Sequence, residues 1–193
     1  MKFVLPLIFL LILSGAYIFL FITPNSVSNY ELSYGQVQAG EIYRFFTYPF
    51  VHLSLDHLLK NVISLSLITL SVIILKTHFK DFSLIYLLAG SLAILPVWFI
   101  FKFTALGSSA AIYAMFGVIS LESKKYELKP FYFLALISGV ILFESLLNKS
   151  SESFFSFLSH FSGVIFGLVA IKVSEKIKQR LDSKKIGVLR SIK

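Results

Sequence analysis

Apolar residues in this chain come in long runs that short polar stretches interrupt. A helix needs about 20 mostly apolar residues to cross the hydrocarbon core of a bilayer, which is ~30 Å thick. The longest break, residues 23–52, is too long for a hairpin turn, and we expect it to hold structure of its own. The runs predict six membrane-spanning segments, at residues 3–22, 53–75, 82–101, 109–121, 131–147 and 155–173.

The composition supports a membrane protein. Of 193 residues, 56% are hydrophobic and only 15% are charged, whereas a soluble domain carries about a quarter charged residues. The pattern predicts an all-α protein with one membrane domain over residues 1–193 and a basic tail at 172–193. The first apolar run is too long for a signal peptide and is interpreted as an uncleaved helix. The absence of cysteine excludes disulfides, thiolate metal sites and a cysteine nucleophile.

The positive charges predict an orientation. The net charge is +8, and eight of the eighteen basic residues lie in the tail. With the N-terminus inside, fourteen Lys and Arg residues fall on the cytoplasmic side and three on the other. Both termini are therefore expected in the cytoplasm, at the plasma (inner) membrane of a prokaryote. Because the tail follows an apolar segment, its charge predicts contact with anionic lipid rather than nucleic acid.

The fourth predicted span is too short to cross a bilayer. Ser109 precedes Lys124 by fifteen residues, which is roughly 22 Å of helix. The start of this helix should therefore lie below the outer surface, and residues 104–108 should enter the membrane as a re-entrant loop. Irregular backbone at that depth is tolerated only inside protein or beside a water-filled cavity. The pattern thus predicts a cavity that opens outward.

Three polar residues are predicted to lie at one depth. When the helix rise is counted in the same way from the next cytoplasmic lysines, Asn61 and His160 lie at the same membrane depth as Ser109. Polar side chains inside the membrane are costly and usually functional. Ser109 could be a nucleophile and His160 its general base, because a serine hydroxyl needs a base to take its proton. Tyr113, one turn after Ser109, could stack on the imidazole.

A second group could stabilise negative charge. His57 and Asn61 are four residues apart and share a helical face. Both can donate hydrogen bonds, as an oxyanion hole requires, and the backbone N–H of Ser109 at a helix N-terminus would add a third donor. Close approach of the fourth and sixth spans is expected from small residues, namely Gly163 and Gly167 facing Ala110, Ala114 and Gly117.

Each feature also has a structural explanation. Serines in apolar helices often bond to their own backbone carbonyls. His52 and His78 are interpreted as interfacial packing residues, and Glu144 as a carboxylate that reaches the membrane surface or faces the cavity. Gly-x-x-x-Gly alone indicates only helix packing.

Three segments resemble the motifs of the rhomboid family. Residues 52–61, HLSLDHLLKN, resemble its second core helix, after Arg44 in the first loop. Residues 107–117, GSSAAIYAMFG, resemble the Gly-x-Ser-Gly motif and begin with Gly107, although Ala110 replaces the last glycine. Residues 159–167, SHFSGVIFG, resemble the closing His-x-x-Gly-x-x-x-Gly motif. The stretch 34–44 is also similar to the rhombosortase-like branch.

The resemblance covers the core at residues 41–170 and implies a six-helix rhomboid bundle that cleaves transmembrane protein substrates near their extracytoplasmic end. It implies Ser109 as nucleophile, His160 as base, His57 and Asn61 as oxyanion donors and Tyr113 beside the base. No cofactor or metal is expected. The alternative is a catalytically inactive rhomboid-like protein that binds transmembrane helices. A small transporter is a further alternative, but transporters usually show two related halves with broken helices, and this sequence has no such repeat.

Overall fold

The computed structural model describes residues 4–147 and 151–191, and this part of the chain is helical without strands. Among these residues, four stretches are long and apolar enough to cross a membrane: Val4–Ile22, Leu55–Ile74, Phe79–Phe101 and Phe154–Ser183. The helices, in chain order, are α1 Val4–Ile22, α2 Ser26–Tyr30, α3 Tyr34–Gln38, α4 Arg44–Thr47, α5 Leu55–Ile74, α6 Phe79–Leu92, α7 Leu95–Phe101, α8 Ser109–Glu122, α9 Pro130–Leu147 and α10 Ser151–Ser191.

Local sequence signals explain where several helices begin. The Ser54 hydroxyl accepts the backbone N–H of His57 at 3.2 Å and caps the N-terminus of α5. Pro96 lies in the first turn of α7 and Pro130 begins α9, positions where the missing N–H costs nothing. Gly107 has a φ of +88° just before α8, a conformation that favours glycine.

The predicted structure of the first loop is confirmed, since residues 23–54 form α2, α3, α4 and a short 3₁₀ turn. Arg44, 3% exposed, holds this loop together. Its guanidinium donates to the carbonyl oxygens of Ser28 and Glu31 at 3.0 and 2.8 Å and pairs with the Glu41 carboxylate at 2.7 Å. The hydrogen bond from the Tyr43 hydroxyl and, to a smaller extent, the one from Arg44 lower the pKa of Glu41.

Helix α8 is the centre of the bundle, because eleven of its fourteen residues are buried. It packs against α5, α6, α9 and α10, and α10 is its closest neighbour. The outer faces of the other helices carry exposed apolar residues, as expected for contact with lipid acyl chains. Examples are Leu11, Ile63, Ile100, Leu136 and Val169.

Backbone contact joins α8 to α10. A Cβ added at Gly117 would lie 2.5 Å from the carbonyl oxygen of Val164. A Cβ added at Gly163 or Gly167 would overlap the carbonyl oxygen of Ala110 or Ala114. Only glycine allows helices this close, and such faces are common in membrane packing. The small residues therefore bring the first turn of α8 next to the N-terminal third of α10.

The bundle has two polar ends. We call the end that carries residues 23–54 and 102–108 the loop end. The opposite end, which carries residues 75–81, 123–129 and 172–183, is the lysine end. There, the buried Glu122 carboxylate accepts from Thr77 at 3.1 Å and from Lys125 at 2.5 Å. Asp81 accepts from Ser174 at 2.7 Å and pairs with Lys178.

Candidate active site

The segment before α8 is held by hydrogen bonds to the first loop. Leu32 and Ala105 exchange two backbone bonds of 2.8 and 2.9 Å, and the Gly107 N–H donates to the Tyr48 carbonyl oxygen at 2.9 Å. These bonds satisfy backbone groups of the irregular segment within the protein. These bonds fix the position at which α8 begins.

Two adjacent serines lie where α8 begins, Ser108 as the N-cap and Ser109 as the first helical residue, and their environments differ. Ser108 is 1% exposed, and its hydroxyl donates to Asn61 Oδ1 at 3.1 Å. Ser109 is the first residue of the helix and is only half-buried. Because the first N–H groups of a helix have no intrahelical partner, donors and the positive end of the helix dipole surround Ser109.

His160 lies beside the same turn of α8. Its ring stacks on the Tyr113 ring, with centroids 4.1 Å apart and an angle of 24° between the planes. Tyr113 follows Ser109 by one turn, so the imidazole is near the start of α8. Its Nε2 also lies 3.4 Å from the Ser156 hydroxyl, at the long limit of hydrogen bonding.

His57 and Asn61 belong to α5 and lie close to the start of α8. The His57 ring packs against Gly107, since a Cβ there would lie 2.6 Å from His57 Nε2. Asn61 is 4% exposed, and its Nδ2 donates to the His57 carbonyl oxygen at 2.9 Å. An amide nitrogen carries two donors, so one N–H of Asn61 is available beyond this bond.

Ala110, where the family motif has glycine, does not strain the backbone. It lies inside α8 without a positive φ, and the residue is 3% exposed. A Cβ at this position is therefore compatible with the helix.

The interpretation of His52 as an interfacial residue is wrong, because the structure buries it. It is 2% exposed, and its ring lies 5.0 Å from the rings of both Tyr17 and His57. Burial, reinforced by the nearby His57, lowers the pKa of His52 to about 4, although the Phe50 backbone opposes this shift. The ring also lines a cleft of about 410 Å³ at the loop end, together with Thr23, Asn25, Ser26 and Ser28.

Sequence reasoning missed a pair of buried tyrosines near Ser108. The hydroxyls of Tyr17 in α1 and Tyr86 in α6 are 2.8 Å apart, and both are buried. Both also lie close enough to the Ser108 hydroxyl to interact with it. The available signal was two tyrosines within apolar runs, where a polar atom needs a partner.

The remaining candidates are simple to place. Gly163 and Gly167 form the contact with α8 described above, and His78 is exposed at the lysine end. The side chain of Glu144 lies outside the described residues. Within the described part of the chain, no three His, Asp or Glu side chains converge as metal ligands would.

A comparison with models of protein families finds a match for this chain. The family model described as Rhomboid domain matches residues 39–175, more than half of the chain. The match includes α5, α8 and the part of α10 that carries His160. No curated protein matches the chain.

Proposed function

We propose that this chain, which belongs to the rhomboid family, is an intramembrane serine endopeptidase with a dyad of Ser109 and His160. The observation that carries the proposal is the stacked contact of His160 with Tyr113, which holds an imidazole beside the turn that begins with Ser109. A serine at a helix N-terminus next to an imidazole is the arrangement that activates a hydroxyl for attack on a carbonyl.

The reaction follows from these positions. Ser109 Oγ attacks the carbonyl carbon of the scissile peptide bond while His160 accepts the hydroxyl proton. The carbonyl oxygen becomes an oxyanion, which the Ser109 N–H, His57 and Asn61 stabilise. The C–N bond then breaks, His160 returns the proton to the leaving amine, and an acyl-enzyme remains. Water, deprotonated by His160, then attacks the ester carbonyl. The C–Oγ bond breaks, the carboxylic product leaves, and His160 returns the proton to Ser109 Oγ.

The proposed topology is a six-helix rhomboid bundle with a re-entrant segment before α8 and both termini in the cytoplasm. It is supported by the grouping of lysines at one end of the bundle, where Lys125 and Lys178 lie. Helix α8 is roughly 21 Å long, which leaves Ser109 below the outer surface of a ~30 Å core if the lysine end lies at the inner surface. The membrane would be a prokaryotic plasma membrane.

The substrate class follows from the depth of Ser109. A transmembrane segment that reaches this depth must unwind, because a helical peptide bond is shielded by its own hydrogen bonds. Segments with Gly or Pro near their extracytoplasmic end are therefore the favoured substrates. The rhombosortase-like branch, suggested by residues 34–44, stays a prediction.

A fluorophosphonate probe tests the proposal on the purified full chain. Ser109 Oγ would attack phosphorus and release fluoride, which leaves a stable covalent label. We expect labelling of wild type, none of Ser109→Ala and at least a ~10³-fold slower reaction of His160→Ala. Matched controls are Ser71→Ala, a serine that bonds only to its own helix, and the exposed His78→Ala.

The outcomes separate the alternatives. Labelling that persists in Ser109→Ala would identify a different nucleophile. Failure of wild type to react with the probe, together with failure to cleave Gly-containing transmembrane peptides, would favour the catalytically inactive rhomboid-like protein that binds transmembrane helices.

A further inference from the structure

Ser108 and the two tyrosines form a buried chain of hydroxyl groups that ends on Asn61. Tyr17 comes from α1, Tyr86 from α6, Ser108 from the N-cap of α8 and Asn61 from α5. Their exposed fractions are 1%, 3%, 1% and 4%, so protein atoms enclose all four side chains. Four helices thus meet at one hydrogen-bonded network, and Tyr17 lies outside the matched residues 39–175.

The chain has a direction that sets the orientation of Asn61. A hydroxyl has one proton to donate, and Ser108 donates it to Asn61 Oδ1 at 3.1 Å. Whichever tyrosine donates in the 2.8 Å Tyr17–Tyr86 bond, the other keeps a proton that it can donate to Ser108. The amide oxygen of Asn61 therefore faces Ser108, and a flipped amide would place this oxygen against the His57 carbonyl oxygen, which now accepts from Nδ2.

Fixing the oxygen also fixes the nitrogen. Asn61 Nδ2 donates one N–H to the His57 carbonyl oxygen at 2.9 Å, and that bond leaves its second N–H for another acceptor. An oxyanion donor stabilises the transition state most when it is held in place before charge develops. A rotated amide would present its oxygen to the oxyanion, and the interaction would become repulsive.

We infer that Ser108, supported by Tyr17 and Tyr86, is a positioning residue that holds the Asn61 amide in its oxyanion-donating orientation. This inference rests on the proposed function. Ser108 itself does not touch the substrate, because its buried hydroxyl is already engaged with Asn61. The first serine of the GSSA sequence, Ser108, thereby gains a role distinct from that of Ser109.

The test uses fluorophosphonate labelling rates of the full-length protein, since the phosphonyl oxygen of the probe occupies the oxyanion position. Ser108→Ala should lower the maximal rate about 10-fold and leave the probe concentration at half-maximal rate unchanged, a smaller loss than the ~10²–10³ of a missing donor. Ser108→Thr keeps the hydroxyl and should retain most of the rate. Tyr86→Phe should lower the rate about threefold, because it only loosens Ser108.

A double-mutant cycle with Asn61→Ala separates positioning from a general packing effect. In the Asn61→Ala background, Ser108→Ala should change the rate less than twofold, because no amide is left to orient. Ser120→Ala is the matched control, since this buried serine of the same helix bonds only to the Gly117 carbonyl oxygen, and it should leave the rate unchanged.

Each result decides a different point. If Ser108→Ala reacts like wild type, or slows the reaction equally with and without Asn61, the positioning role is wrong while the proposed protease remains. If wild type shows no labelling that depends on Ser109, the proposed function fails and the inference fails with it.

Discussion

The two ends of the bundle both bury polar side chains, but they satisfy them in different ways. At the loop end the partners of Asn61 are neutral and buried, namely Ser108 and a backbone carbonyl oxygen. At the lysine end the carboxylates of Glu122 and Asp81 pair with lysines whose side chains are 52% and 45% exposed. Water can replace an exposed lysine but cannot reach a buried hydroxyl.

Under the proposed function, the loop end positions groups for chemistry, whereas the lysine end contributes modestly to stability. Substitutions at the loop end should change the reaction rate or the response to pH. Those at the lysine end should leave both almost unchanged. Three predictions test this contrast.

The largest effect is expected for Gly107→Ala. The φ of +88° is unfavourable for alanine, and the new Cβ would lie 2.6 Å from the His57 ring. His57 must move, so the labelling rate should fall ~10²–10³-fold, as for a missing oxyanion donor. The control is Gly35→Ala, where no φ is unusual and no atom lies within 4 Å. A wild-type rate for Gly107→Ala would remove His57 from the oxyanion hole.

A pH-dependent effect of intermediate size is expected for His52. Because its pKa is lowered to about 4, the folded protein keeps the ring neutral, while the unfolded chain binds a proton below pH ~6.5. This contribution to stability is present above pH 6.5 and is lost as the pH falls toward 4. Between pH 7.5 and 5 the loss amounts to about 2 kcal/mol.

Thermal melting in detergent at the two pH values measures this loss. Wild type and the control His78→Phe should lose stability in parallel, because His78 is exposed. His52→Phe, which cannot be protonated, should lose about 2 kcal/mol less than either protein. If His52→Phe loses as much as wild type, His52 is accessible to water in solution.

The sequence predicted the positions of the helices better than the side-chain contacts between them at the candidate site. Apolar runs locate helices because the bilayer requires length and hydrophobicity, and the helices found here overlap all six runs. Ser109 and Asn61 could be selected because helix geometry predicts one depth for them, and His57 because it shares a helical face with Asn61. Ser108 could not, since the partner that makes it informative, Asn61, is 47 residues away. Burial of His52 was likewise hidden, because it depends on the packing of Tyr17 from α1.

The smallest effect is expected for Asp81→Asn at the lysine end. An asparagine can still accept from Ser174, so the substitution removes mainly the ion pair with Lys178. Because that lysine is 45% exposed, stability should fall by at most ~1 kcal/mol. The control is Asp182→Asn on the exposed part of α10, which should not change stability.

The labelling rate of Asp81→Asn decides whether the two ends act independently. Lys178 and His160 belong to the same continuous helix α10, eighteen residues or about 27 Å apart. If α10 is held mainly by its glycine contacts with α8, loss of the Lys178 pair should not move His160, and the rate should stay within twofold of wild type. A tenfold slower reaction at unchanged melting temperature would mean that the Lys178 pair sets the position of α10, so that the lysine end controls the base.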